Sequence, residues 1–181
     1  MVAFYLLPSC RHDPRFAGNQ QISTCFSILS GRYGHLPMKR HPSLVPVSRQ
    51  HRKLLMLAQL LKKTAPAYKG LPADARGKIR YALALYASLL QPHMALEEKR
   101  VYPFAAERSA RLAGMVEGLQ AEHRQIERLF SQLQAGQPNL KLLDELGYLL
   151  ERHIRTEERV FFQELQQVAG EQLRQLNTEA P

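Results

Sequence analysis

Cysteine is nearly missing from this chain: Cys10 and Cys25 are the only two, and none follows Met38. That scarcity excludes zinc-finger, iron–sulfur and thiol-redox chemistry from the larger part of the protein, so any metal there must be held by nitrogen and oxygen donors. It also fits a reducing cytoplasm, the expected compartment. No apolar run approaches the roughly 20 residues that span a bilayer, and no membrane partner is expected. Strand signals are absent as well. Acids are scarce at the start: before His51 there are six bases and one acid, Asp13, against 19 bases and 15 acids in the rest. The formal charge of +9 is therefore largely a property of the N-terminal tail, which reads as solvated, and no nucleic-acid partner is expected.

With 181 residues, 45% of them apolar, the chain suffices for one domain with a sizeable core. Residues 1–37 are punctuated by Gly, Ser, Pro and Asn and sustain no apolar period. The run Val2 to Leu7 is too short for a secretory signal and lacks its basic flank. Arg11, Arg15 and Arg32 give a faint resemblance to a transit peptide, but the plainer reading takes Met38 as the biological start. The expected organisation is a disordered or mis-assigned leader over 1–37, an extended lead-in over 38–47, a helical bundle over 48–170 and a C-terminal tail over 171–181. His12, His35 and His41 read as tail histidines.

Four helices follow from period and punctuation. The first is expected to begin near Ser48 as N-cap, after Pro42 and Pro46, with His51, Leu54, Leu55, Ala58 and Leu61 on one stripe and Pro66 beyond its end. The second runs from about Asp74 towards Tyr102, with Tyr86, Leu90, His93, Glu97, Val101 and Phe104 inward. Pro92 should bend it one residue before His93, and Pro103 should end it. The third spans roughly Ser109 to Ala135, burying Val116, Leu119, His123, Ile126, Phe130 and Leu133, and stops at Gly136-Gln137-Pro138. The fourth runs from about Asn139 to Ala169, with Leu146, Leu150, His153, Glu157, Val160 and Phe161 inward, and ends at Gly170. A short amphipathic tail around Gln172 to Leu176 is expected to pack back. The fold class is all-α: an up-down antiparallel four-helix bundle with a short C-terminal helical tail and a largely unstructured N-terminal leader.

The chain carries an internal repeat. His93-Met94-Ala95-Leu96-Glu97-Glu98 recurs sixty positions on as His153-Ile154-Arg155-Thr156-Glu157-Glu158, and Gln50-His51-Arg52-Lys53-Leu54 is echoed by Glu122-His123-Arg124-Gln125-Ile126. Two hairpins, each reading His and then His-x-x-x-Glu, give a bundle with approximate two-fold symmetry. Positions four apart on a helix share a face about 6 Å apart, so His93 with Glu97, and His153 with Glu157, reach one point. Four histidines and two glutamates on four inward stripes point to two metals. If both glutamates bridge, each metal receives two imidazoles and two carboxylate oxygens. An octahedral ion then keeps about two positions for a bridging oxo or hydroxo group and an outside ligand. Iron leads and manganese is the alternative, since zinc prefers four-coordinate closure. The bland reading is a polar core in which Arg100, Arg124 or Arg155 neutralises the glutamates. Glu98 and Glu158, rotated about 100° from their neighbours, are expected at the surface or behind the ligands. Tyr81, Tyr86, Tyr102, Tyr148, Phe161 and Phe162 read as core or flanking residues.

These residues resemble the hemerythrin-like family, the HHE cation-binding domain, over about Ser48 to Val168. The resemblance rests on His51, on His93 with Glu97, on His123 in Glu-His-Arg-Gln-Ile and on His153 with Glu157. It implies a pair of non-haem irons held by His51, His93, Glu97, His123, His153 and Glu157. Oxygen-carrying hemerythrins have a fifth histidine where this chain has Glu127, and an Asp five positions beyond the last His where it has Glu158 with Glu157 before it. The chain looks closer to the four-His, two-Glu branch, which includes bacterial iron-centre repair proteins and hemerythrin domains that sense iron or oxygen. Residues 1–37 show no match to the cysteine-containing domain usual in the repair proteins. The expected function is to bind iron and a small ligand (O2, NO or a peroxide) in iron handling or in oxidative and nitrosative stress. A di-iron oxidase or peroxidase, and a metal-sensing regulatory module, are the alternatives. The residues name no protein partner.

Overall fold

Pro42 and Pro46 decide how the first helix begins. In the computed structural model, which describes residues 39–136 and 139–178, Pro42–Leu44 form a 3-10 turn and helix α1 starts immediately after it, Val45–Leu61. Pro46 therefore lies in the first turn, where its missing N–H costs nothing because the first four N–H groups of a helix have no partner within it. The helix accordingly begins three residues before Ser48, and the last six residues of the expected extended lead-in are helical or 3-10. The leader with Cys10, Cys25, His12 and His35 lies outside the described residues, as do Met38, Gln137 and Pro138.

Helix α2, residues 75–106, is one long rod made of five stretches: Ala75–Leu85, a π-turn Tyr86–Leu90, Gln91–Leu96, a second π-turn Glu97–Val101, and Tyr102–Ala106. Asp74 caps it by accepting from Gly77 N. Pro103 does not end this helix, and the helix also runs on through Pro92. In both places the proline directly follows a residue whose N–H reaches five back, Gln91 to Tyr86 and Tyr102 to Glu97. The wide turn takes up the bond that each proline cannot make and leaves room for its ring.

Helix α3, Ala110–Ala135, begins where Ser109 accepts from Leu112 N, as its sequence indicates. Helix α4, residues 140–169, is capped by Asn139 and contains a third π-turn, Glu157–Phe161, between Leu140–Thr156 and Phe162–Ala169. Gly170, at φ +48°, ends it and turns the chain into a 3-10 tail, Gly170–Gln175. Leu173 and Leu176 of that tail are buried, and the Thr178 hydroxyl donates to the Ser43 carbonyl. α1 packs on α4, α2 and α4 each pack on α3, and α1 touches α2, so sequential helices are antiparallel neighbours and the expected all-α up-down bundle is present. Among the described residues there is no strand.

The core is divided in two. One apolar cluster holds Leu54 to Leu61, Ile79 to Met94, Ile126 to Leu133 and Leu143 to Ile154; the other holds Leu44, Val47, Val101 to Ala105, Leu112 to Leu119 and Phe161 to Leu176. Every helix passes from one cluster to the other through a single polar layer, at His51, at His93 and Glu97, at His123, and at His153 and Glu157. Each buried leucine contributes roughly 1.5–3 kcal/mol to the two clusters, and that surplus offsets the cost of the layer between them.

The π-turns also correct two positions of the inward stripes. Counting at 3.6 residues per turn from Glu97 and Glu157 points Phe104 and Val160 inward. Phe104 is only half-buried and Val160 is 44% exposed, whereas Tyr102 and Phe162 are wholly buried. One extra residue in the wide turn rotates everything after it.

Gly147 marks the closest approach of α1 and α4: a Cβ there would lie 2.8 Å from the Ala58 carbonyl oxygen. At Gly114, in the second turn of α3 and exposed, a Cβ would meet nothing within 4 Å. Gly147→Ala is therefore expected to destabilise the fold by about 1–3 kcal/mol, and Gly114→Ala to stabilise it by about 0.5–1 kcal/mol. Urea denaturation of both variants beside the parent measures this; shifts of the same sign would remove the close-approach argument.

Candidate metal centre

All six side chains that the repeat singles out meet in the polar layer, and none is more than 2% exposed. His51 Nε2 lies 3.0 Å from His93 Nε2, and His123 Nε2 lies 3.0 Å from His153 Nε2, so each hairpin presents one pair of imidazoles. Glu97 faces both pairs: its Oε1 is 3.2 Å from His93 Nε2 and 3.6 Å from His51 Nε2, and its Oε2 is 3.6 Å from His123 Nε2. Glu157 Oε2 stands 3.2 Å from His51 Nε2 and 3.4 Å from His153 Nε2. Two groups result, His51, His93, Glu97 and Glu157 on one side and Glu97, His123, His153 and Glu157 on the other, with ligand atoms in each group lying within 4.8 Å of one another. Both glutamates belong to both groups. Tertiary packing thus places both carboxylates between the imidazole pairs.

The outward nitrogens explain why the inward ones point where they do. His51 Nδ1 is 2.6 Å from Glu158 Oε1 and His123 Nδ1 is 2.9 Å from Glu98 Oε1. His93 Nδ1 is 2.9 Å from Gln50 Oε1 and His153 Nδ1 is 3.0 Å from Glu122 Oε2. All four partners accept, so each Nδ1 donates and each Nε2 can turn a lone pair to the centre. Glu98 and Glu158 stand behind the histidines of the opposite hairpin, in the outer role expected of them. Gln50 and Glu122 were legible only as part of the repeat, each directly before a helix-one or helix-three histidine; their contact with His93 and His153 crosses between helices and no spacing encodes it.

The layer is rich in acceptors and poor in donors. Glu97 Oε1, Glu97 Oε2 and Glu157 Oε2 are buried oxygens without a hydrogen-bond partner. An unpaired buried carboxylate costs several kcal/mol, which a structure keeps only when something else neutralises it. The arginines that would make a purely structural core are engaged elsewhere. Arg155 Nε donates to Glu151 at 2.7 Å, Arg100 Nη1 donates to the Asn177 carbonyl at 3.0 Å, and Arg124 is exposed. Among the described residues no Lys or Arg is paired with Glu97 or Glu157; their only ionic neighbours are the four histidines.

Without a cation, protons must fill that role. Burial, and after it the charge of Glu157, push Glu97 up to about 8. Burial also pushes Glu157 up, but His153 and His51 outweigh it and hold this carboxyl below its usual range. His51 is raised because Glu157, Glu158 and Glu97 outweigh its burial, and His153 is raised by Glu157 and Glu122 in the same way. Burial drives His93 down to about 3, and burial with His153 lowers His123. Two imidazoles and one carboxyl thus draw protons into a space whose other atoms are acceptors, a donor set suited to a hard or borderline divalent cation.

Tyr102 is the site residue that the sequence reading assigned to the core. Its hydroxyl donates to Glu157 Oε1 at 2.8 Å and lies 3.2 Å from His123 Nε2. Burial pushes its phenol well above the usual range. The π-turn that begins at Glu97 brings it inward, and sequence offers no sign of that turn apart from the proline after Tyr102.

A larger cavity, about 450 Å³, lies against Arg52, Leu55, Tyr68 and Arg155 on the outer side of α1 and α4 and includes none of these seven residues. Among the described residues no helix is long and apolar enough to cross a membrane. No curated protein and no solved structure matches the chain. The sequence profile described as "Hemerythrin HHE cation binding domain" matches residues 46–172, which holds all four helices apart from Val45, and both His/Glu groups. That description and the acceptor-rich layer point alike to metal binding, and the chain belongs to the hemerythrin HHE cation-binding domain family.

Proposed function

We propose that the chain binds two iron ions through His51, His93, His123 and His153, with Glu97 and Glu157 shared between them, and that the pair takes up a small diatomic or peroxidic ligand. The observation that carries this reading is the pair of four-residue groups with both glutamates in common, their carboxylate oxygens buried and without hydrogen-bond donors apart from Tyr102. Nitrogen and oxygen donors without thiolate favour iron, with manganese second. Iron, when bound, supplies open coordination positions and one-electron redox chemistry. The chain's part is to aim four Nε2 lone pairs through four outward hydrogen bonds, to neutralise the cation with two carboxylates, and to keep bulk water out with apolar clusters on either side. The biological setting we assign is iron handling or the response to oxidative and nitrosative stress.

One observation favours a second reading, a metal-sensing module. The polar layer lies between two core clusters on all four helices, so its neutralisation is linked to the stability of the whole bundle.

Three outcomes are expected. Purified protein should hold about two irons per chain, from the two donor groups, with near-ultraviolet bands of a coupled pair; His153→Ala and Glu157→Ala should lose both metal and bands. Metal-free protein that stays folded and refuses iron offered anaerobically would sink the proposal. Chelation should lower the melting temperature by roughly 5 °C or more, the shift that about 1–2 kcal/mol produces in a domain of this size. An unchanged melting temperature would count against the sensing role, and turnover of peroxide or nitric oxide would assign an enzyme instead. Finally, the cation must displace the proton that Glu97 retains up to about pH 8. The metal-free chain holds that proton below this pH and has lost it above. Apparent metal affinity should therefore rise with pH up to and through about 8, by about tenfold per unit for each proton displaced, with the raised His51 and His153 adding to the slope. Competition against a chelator across this range measures it, and a flat profile would show that the cation displaces no proton from Glu97, His51 or His153.

A further inference from the structure

The repeat makes the two halves of the centre nearly alike, and one pair of residues breaks the likeness. Sixty positions separate His93 from His153, Glu97 from Glu157, and likewise Tyr102 from Phe162. The two aromatic rings occupy matching places: Tyr102 stacks on His123 with centroids 5.4 Å apart, and Phe162 on His51 with centroids 5.9 Å apart. Only the tyrosine carries a hydroxyl, and it points into the His123/His153 half, touching Glu157 Oε1 and His123 Nε2. The other half has an apolar ring in that position, and the guanidinium of Arg40 covers it, 5.0 Å from its centroid and hydrogen-bonded to Glu158.

A second feature falls on the same side. A surface cavity of about 190 Å³ lies against Gly114, Gly118, Leu119, Glu122 and Phe161. Glu122 is the partner of His153, and Phe161 meets the Tyr102 ring edge-on at 5.7 Å. One layer of side chains therefore separates this cavity from the His123/His153 pair. A glycine inside a helix costs about 1 kcal/mol relative to alanine. At Gly114 and Gly118 a Cβ would meet nothing within 4 Å, so no close packing accounts for either. What they leave is open space beside Glu122.

Resting on the iron-pair reading above, we propose that a small external ligand binds at the His123/His153 half, reaches it through the cavity beside Gly118 and Glu122, and is held there by the Tyr102 hydroxyl, which turns its one proton from Glu157 Oε1 to the ligand. The class of ligand is a small anion or diatomic able to accept a hydrogen bond. The half under Phe162 has an apolar ring in the place of that donor, so Tyr102 is a positioning residue that makes one of two similar metal positions the reactive one.

Azide, a small anion that accepts hydrogen bonds, is the probe. Its affinity and association rate are read optically on iron-loaded wild type, Tyr102→Phe and Gly118→Leu, with iron content and melting temperature measured on each. Tyr102→Phe keeps the ring and removes the hydroxyl; it should retain both irons and weaken azide by about tenfold, the effect of one hydrogen bond to a charged acceptor. Gly118→Leu fills the cavity and should slow association at unchanged iron content. Wild-type azide affinity in Tyr102→Phe, with both irons in place, overturns the donor role, and a wild-type association rate in Gly118→Leu overturns the route. A tyrosinate-to-iron charge-transfer band that Tyr102→Phe abolishes would also overturn it, since Tyr102 would then be a ligand. These results leave the iron-pair reading standing; a chain that takes up no iron overturns both.

Discussion

Two carboxylates buried among four imidazoles, with no lysine or arginine paired to them among the described residues, are the constraint on which the rest of this structure depends. In water each carboxylate would be solvated at no cost. Here Glu97 and Glu157 are wholly buried, and three of their four oxygens have no hydrogen-bond partner. Either protons or a cation must enter that space, and the acceptor-rich geometry favours the cation. The outer ring of Gln50, Glu98, Glu122 and Glu158 follows from the same demand, since fixing each Nδ1–H outward is what turns each Nε2 inward. The two apolar clusters supply the stability that such a layer consumes.

The wide turns are part of the site. Two of the three begin at Glu97 and Glu157 themselves, sixty positions apart, as the repeat requires. A π-turn adds a residue without lengthening the bonded ladder, so the side chain five places on faces the centre as well as the one four places on. That is how Val101 and Tyr102, and then Phe161 and Phe162, come to lie together beneath the four histidines and two glutamates. The third wide turn, Tyr86–Leu90, has no counterpart in α4 and precedes Pro92, which suits a role in accommodating that proline.

Approximate symmetry explains the shared carboxylates, and departures from it give the two halves different chemistry. Arg40 accompanies Glu158 behind His51, while Glu98 behind His123 is exposed; Gln50 behind His93 is neutral, while Glu122 behind His153 is held below the usual carboxyl range by its bonds to His153 and Arg152 despite partial burial. Together with Tyr102 against Phe162, these exchanges give the His123/His153 side a hydroxyl and an outer carboxylate where the other side has an apolar ring and an amide.

Helix number, order, caps and six converging side chains follow from residue order, because helical period and the ends of helices are local properties. Ser109 and Asn139 cap the helices they precede, Gly170 ends α4, and the His-x-x-x-Glu spacing forces each pair onto one face. Other features needed the folded chain. The start of α1 at Val45, the passage of α2 through Pro103, and the burial of Tyr102 and Phe162 in place of Phe104 and Val160 all depend on 3-10 and π geometry that a 3.6-residue period does not represent. The partners of the four Nδ1 atoms and the sharing of both glutamates join residues on different helices, at separations of 25 to 107 positions for the outer contacts. Local sequence can place a residue on a face; which face it meets, and which atom it touches there, is fixed when the helices pack.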